Sequence, residues 1–264
     1  MLKKVISCMQ ENPHEISRKC RKKLVKMHYE SGAGHLGGNL SCIDCIAILL
    51  NNFYTNNDRF VLSKGHSAGA LYIGLWSINK INEEELATFH KSPTKLGGHP
   101  PVNTFPDIPF ATGSLGHGLS LAAGLALAKK LKNEEDHVYC LTSDGEWQEG
   151  STWEAFIFAL HQKLDNLTII IDKNNLQGFG TTKDVASMDN LEKKLSGFID
   201  PVVINGHDPD EIHTAMALKS KKLKLIIMNT IKGNGIESFQ NTMRSHYDPI
   251  NQDDYEQMLR CIDA

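Results

Sequence analysis

Leu167-Thr168-Ile169-Ile170-Ile171 is an almost unbroken apolar run. A strand of this kind has no polar face to give to water, so it belongs in a parallel sheet covered on both sides. Further candidate strands are Phe60-Val61-Leu62, Val138 to Thr142, Pro201 to Ile204 and Leu225 to Met228. Between and around them, helices are expected over 14–29, 42–52, 66–79, 82–90 (after Asn82), 115–132, 151–162, 208–219 and 252–262. Strands alternating with helices predict an α/β fold: three layers, α/β/α, with a mostly parallel sheet, in a single domain over 1–264. Ligands of such sheets bind beyond the carboxyl ends of the strands, so chemistry should sit just after each strand.

Composition narrows the class. The chain has 264 residues, 41% of them hydrophobic, enough to bury a full core. A formal net charge of −3 and a pI near 6.5 argue against a nucleic-acid or membrane partner. No run of 18 apolar residues is present and the N-terminus lacks a signal-peptide core, so a cytoplasmic protein is expected. The basic run from Arg18 to Lys23 reads as a solvated face of the first helix. Of Cys8, Cys20, Cys42, Cys45, Cys140 and Cys261, only Cys42 and Cys45 form a C-x-x-C. Ser41 and Asp44 read as a capping box opening the apolar helix that follows, so the cysteines are expected to be buried structural thiols in a reducing cytosol.

Two strand ends carry the chemistry. Cys140-Leu141-Thr142-Ser143-Asp144-Gly145-Glu146 ends a strand on an acidic residue and a glycine. The carboxylate of Asp144 can hold a hard cation, and Gly145 lets its N–H approach an anionic oxygen closely. About thirty residues later Asp172-Lys173-Asn174-Asn175-Leu176 follows the next strand, and Asn174 offers an amide oxygen. One carboxylate, one amide and one backbone carbonyl make half an octahedron around Mg²⁺ or Ca²⁺, which phosphate oxygens and water would complete. Either segment alone reads as an ordinary turn. The pair, flanking two strands with a helix between, is far more specific. Residues 91–114 hold five prolines in a long irregular loop, which in a compact domain is more often functional than idle.

The spacing of Asp144-Gly145 and Asn174 resembles the signature of thiamine-diphosphate enzymes. The neighbouring blocks resemble the transketolase family. They are Ser31 to Gly38 with His35, Phe60 to His66, Gly97-Gly98-His99-Pro100, Thr112 to Gly118 and Asp144 to Gly150, in the family's order over about residues 15–245. The resemblance implies a thiamine-diphosphate-binding fold of the diphosphate-holding type. It implies thiamine diphosphate and Mg²⁺ (or Ca²⁺) as cofactors, with Asp144, Asn174 and the Leu176 carbonyl on the metal. Gly145, His66 and His246 would contact the diphosphate, and Gly113 and Leu115 would meet the cofactor through the backbone. His35, His66, His99 and His246 would line the substrate channel. Glu149 would belong to a carboxylate chain linking two cofactor sites, with Glu154 nearby. Histidine suits such a channel, because protons must move between sugar hydroxyls and carbonyls near neutral pH. His35, His66 and His99 each follow a glycine. For His246 an exposed loop position is the competing reading. His14, His28, His90, His137, His161, His207 and His213 fit exposed or helical positions, and the resemblance gives His117, where relatives carry glutamine, a polar contact with the cofactor. Ser143 stands where the family usually has glycine.

In this resemblance the domain that binds the aminopyrimidine ring, with its activating glutamate, follows the present one, and no room for it remains before Ala264. The implied protein is therefore the N-terminal subunit of a two-subunit transketolase, moving a two-carbon ketol unit from a ketose or its phosphate to an aldose. A separate subunit would carry the pyrimidine-binding domain, in an α2β2 heterotetramer. Helix 115–132, apolar nearly all round, and the Asp144 to Gly150 segment are the candidate buried interfaces. Rival readings are the α-type subunit of a 2-oxo acid dehydrogenase, a fragment of a deoxyxylulose-phosphate synthase, and a non-catalytic binding subunit. The Gly97 to Pro101 and Gly113 to Gly118 blocks favour transketolase. A nucleotide-binding Rossmann domain would need a strand–GxGxxG–helix unit at its N-terminal strand, which is not present.

Overall fold

A computed structural model describes residues 11–263 of the chain, so Cys8 lies outside them. The first helix, α1 (Pro13–Ser31), begins where Asn12 accepts from the N–H of His14 and Pro13 fills the first turn. It ends where Gly32 takes a left-handed conformation, φ 63°. Then come α2 (Leu36–Leu40), α3 (Ile43–Asn52), β1 (Arg59–Leu62), α4 (Ala68–Ser77) and α5 (Glu83–Leu86). After the proline-rich loop follow α6 (Gly118–Leu131), β2 (Val138–Ser143), α7 (Gly150–His161) and β3 (Leu167–Lys173). A small antiparallel hairpin, β4 (Leu176–Gln177) and β5 (Gly180–Thr181), precedes α8 (Thr182–Ala186) and α9 (Leu191–Ser196). The chain continues through β6 (Val202–Asn205), α10 (Pro209–Ala217), β7 (Lys224–Asn229), α11 (Arg244–Tyr247) and α12 (Gln252–Asp263).

Five strands form one sheet in the order β1-β2-β3-β7-β6, every pair parallel. Period-two alternation sends side chains to opposite faces. Phe60, Leu62, Leu141, Ile170, Ile226 and Met228 join a core with α1, α3, α4 and α10. Val61, Cys140, Ile169, Ile171, Leu225 and Ile227 join a second core with α6, α7 and α9. The apolar run in β3 is thus explained: both of its faces are covered. Truncating Ile170 to Ala would cost about 2–5 kcal/mol.

Several expectations need correction. Ser41 and Asp44 form no capping box: α3 starts from Cys42 without a side-chain cap. Asp44 is instead drawn to α1, where it accepts from Ser17 and Arg21, while Ser41 donates to the Gly38 carbonyl and to Asp172. A buried carboxylate is held more firmly by a guanidinium than by an amide, so the tertiary contact wins. That same pair withdraws Arg21 from the solvated basic face. Cys20, Cys42, Cys45 and Cys140 are buried free thiols, but Cys261 is exposed. His28 lies in a helix as expected, but on the buried face of α1, where its Nδ1 donates to the Ala33 carbonyl. The 82–90 helix stops at Leu86, and the helix expected over 115–132 begins at Gly118. Only one face of α6 is buried in this chain, and Leu131 is 74% exposed. No helix among the described residues is long and apolar enough to cross a membrane.

Candidate active site

The carboxyl ends of β1, β2, β3 and β7 converge on one cavity of about 260 Å³. Its walls hold His35, His66, His99 and His246 together with Gly113, Leu115, Asp144, Gly145, Asn174 and Leu176. A larger cavity of about 870 Å³ lies at the opposite edge of the sheet, among Leu160, Phe198, Val202 and the lysines before β7, and contains no histidine.

Glycines let the walls meet. A Cβ on Gly37 would lie 2.5 Å from that of Ser245, so α2 can press against α11 only with hydrogen there. The contact is closed by Gly233 N–H to the Gly37 carbonyl at 3.1 Å and by His35 N–H to the His246 carbonyl at 3.0 Å. His35 itself is left-handed, φ 63°, a conformation costing a non-glycine residue about 1–3 kcal/mol, which this packing sustains. His35 and His246 then stand with ring centroids 5.0 Å apart, His35 and His99 5.9 Å, and His66 and His246 5.7 Å. His246 belongs to the cavity wall rather than to an exposed loop.

The electrostatics follow from burial. Withdrawal from water holds His35 below its usual range, His66 well below it, and His246 down to about 3. These rings are neutral at pH 7. Lys232 donates to His246 Nδ1 at 2.9 Å, which leaves the His246 proton on Nε2, and to the Leu176 carbonyl at 3.2 Å. Burial brings its ammonium down to about 8.

Asp144 is buried, and its carboxyl is pushed up to about 7, first by burial and then by the neighbouring charge of Asp172. It accepts only from the N–H groups of Gly145, at 2.9 Å, and Asn175, at 2.6 Å. No cationic side chain pairs with it among the described residues. An anionic group so placed calls for a cation. Asn174 Oδ1 and the Leu176 carbonyl share its cavity, and this all-oxygen set suits a hard ion. In this structure Asn174 Oδ1 accepts from Leu176 N–H at 3.1 Å, and the Leu176 carbonyl is shared with Lys232.

Beneath the cavity lies a frame that the sequence did not reveal. Lys64 pairs with Asp172, both wholly buried, and donates to the Gly38 carbonyl. Asp172 also accepts from Ser41 and Thr230. Glu146 accepts from Ser63, from Gly116 N–H at 2.9 Å and from Ser143 N–H at 3.0 Å, bracing β1, β2 and the loop before α6. Lys232 was missed too; its one sequence signal is a lysine directly before Gly233 and Gly235, both with positive φ. Glu149, by contrast, does not reach the cavity. It turns outward at the start of α7, with φ −84° and ψ 130°, and is exposed, as is Glu154.

Known proteins resemble this chain over most of its length. The family described as "Transketolase, thiamine diphosphate binding domain" matches residues 29–262. The chain is 36% identical over 259 residues to an apulose-4-phosphate transketolase subunit of Phocaeicola vulgatus, covering 93% of this chain and 92% of that one. It is 36% identical over 228 residues to a 6-deoxy-6-sulfo-D-fructose transketolase subunit of a Clostridium species, covering 81% and 83%. The crystal structure of a transketolase from Campylobacter jejuni superposes with a TM-score of 0.83 at 30% identity; the chain spans 42% of that longer polypeptide.

Proposed function

The chain belongs to the transketolase family, and on that premise we propose that it is the diphosphate-holding subunit of a split transketolase. It would act with a second subunit to move a two-carbon ketol unit from a ketose or ketose phosphate to an aldose acceptor. The observation that carries this reading is the meeting, in one cavity, of four histidines and a buried carboxylate that no cationic side chain among the described residues pairs with. The chain covers 92% of a relative whose name makes it one subunit of a transketolase, and this supports the split.

Asp144, Asn174 and the Leu176 carbonyl would hold Mg²⁺ or Ca²⁺, and Lys232 would turn from that carbonyl toward phosphate oxygens. Gly113 and Leu115 would meet the cofactor by backbone atoms. Thiamine diphosphate, when bound, supplies the electron sink that stabilises the transferred carbanion. The chain's own task is proton management and orientation. His66, neutral at pH 7, accepts or donates a proton at the sugar oxygens, His246 donates from Nε2, and His35 and His99 position the sugar hydroxyls. His246 is pre-set, since Lys232 fixes which ring nitrogen carries the proton.

The partner would supply the glutamate that activates the aminopyrimidine ring. Glu149, with Glu154, Ile157 and Phe158 on the exposed face of α7, would be buried by assembly as α2β2, where Glu149 would enter an inter-site carboxylate chain. Free buried thiols fit a reducing compartment such as the cytoplasm. Titration calorimetry of thiamine diphosphate with Mg²⁺ tests the reading. Tight, metal-dependent binding is expected when the chain is mixed with its partner, and binding that stays absent in the mixture would refute it.

A further inference from the structure

Among the described residues, five side chains carry a buried polar atom that nothing in the chain satisfies: His28, Asn52, Ser67, Ser143 and Asn166. Of these, only Ser143 lines the cavity that holds Asp144, Gly145 and Asn174. The residue is 6% exposed and its Oγ has no partner. A buried hydroxyl without a partner costs free energy, so its retention at a site calls for a ligand that completes it.

The surroundings indicate which ligand. Ser143 ends β2 and is clamped there, with its N–H spent on Glu146 Oε2 at 3.0 Å. Gly145 N–H is spent on Asp144 Oδ1 at 2.9 Å. The backbone donors of this turn are therefore taken, while the serine hydroxyl is free to donate. It is adjacent in sequence to the residue that would hold the metal, so the group brought within its reach is the anion that the metal carries. We propose that Ser143 is a ligand of the cofactor's diphosphate, donating Oγ–H to a phosphate oxygen. The inference rests on the thiamine-diphosphate reading above, and it gives this chain a contact that the glycine usual at this position cannot make.

The test compares wild type with Ser143→Ala, Ser143→Gly and Ser143→Thr, each assembled with the partner chain. Thiamine diphosphate and inorganic diphosphate, both with Mg²⁺, are titrated by calorimetry, and the melting midpoint of the ligand-free chain is recorded. A hydrogen bond to a charged oxygen predicts about tenfold or greater weakening of both ligands in Ser143→Ala and Ser143→Gly, with threonine restoring affinity. The ligand-free midpoint of Ser143→Ala should be unchanged or raised, since the hydroxyl satisfies nothing there. Equal affinities in wild type and Ser143→Ala would overturn the proposal. So would a lowered midpoint with unaltered affinity, which marks a structural role. A wild type that binds neither ligand would remove the cofactor reading and the inference together.

Discussion

Lys64 and Asp172 form an ion pair from which water is wholly excluded, tying the end of β1 to the end of β3 directly below the site. Through Gly38, Ser41 and Thr230 the pair also reaches the glycine-rich loop and the end of β7. Removing one partner leaves a buried charge, so Asp172→Ala should lose about 3–5 kcal/mol of stability. Urea denaturation of Asp172→Ala beside the Lys64→Met/Asp172→Leu double variant checks this. The double variant should recover much of the loss, because no lone charge remains.

Asp144 should trade stability for function. Burial raises its carboxyl to about 7, so the folded, ligand-free chain holds a proton that the unfolded chain releases near pH 4. Stability is lost as pH rises between those values. Asp144→Asn should therefore gain on the order of 1–3 kcal/mol at pH 7.5 without ligand, and lose metal-dependent cofactor binding. Denaturation midpoints and calorimetry on the same preparations measure both.

Acid should destabilise the fold through His28. Burial lowers its imidazole to about 4, below the ordinary value of 6.5. The unfolded chain binds the proton first, so stability is full above pH 6.5 and falls as pH drops toward 4, by on the order of 3 kcal/mol. His28→Asn, which keeps a donor for the Ala33 carbonyl, should flatten that part of the stability–pH curve.

Lys232 is buried at the cavity wall and donates to the Leu176 carbonyl and His246. Lys232→Met should weaken binding of Mg²⁺ with thiamine diphosphate about tenfold or more, through loss of a charge-assisted contact. The ligand-free melting midpoint should change little. Calorimetry at two salt concentrations should show the wild-type advantage shrinking as salt rises.

The sheet was legible because each strand announces itself locally. The Ile169-Ile170-Ile171 run can satisfy its side chains only between two helical layers. Asp144, Asn174 and the glycine-histidine loops were legible because parallel strands deliver their next residues to one edge. What stayed hidden depends on contacts distant in sequence. Asp44 looked like a cap because its partner Arg21 lies on another helix. Lys64 and Asp172 are more than a hundred residues apart, and nothing local marks either as the other's counter-ion. Glu149 lies close to Asp144 in sequence, yet the turn into α7 carries it to the outside, away from the cavity.

The most direct measurement is ketol transfer from a ketose phosphate to an aldose, with Mg²⁺ and thiamine diphosphate, by this chain, its partner chain and their mixture. Turnover is expected in the mixture alone, and should vanish when Asp144→Ala replaces the wild-type chain. Turnover by the isolated chain at the rate of the mixture, or full activity of the Asp144→Ala mixture, would contradict a split site built on this cavity.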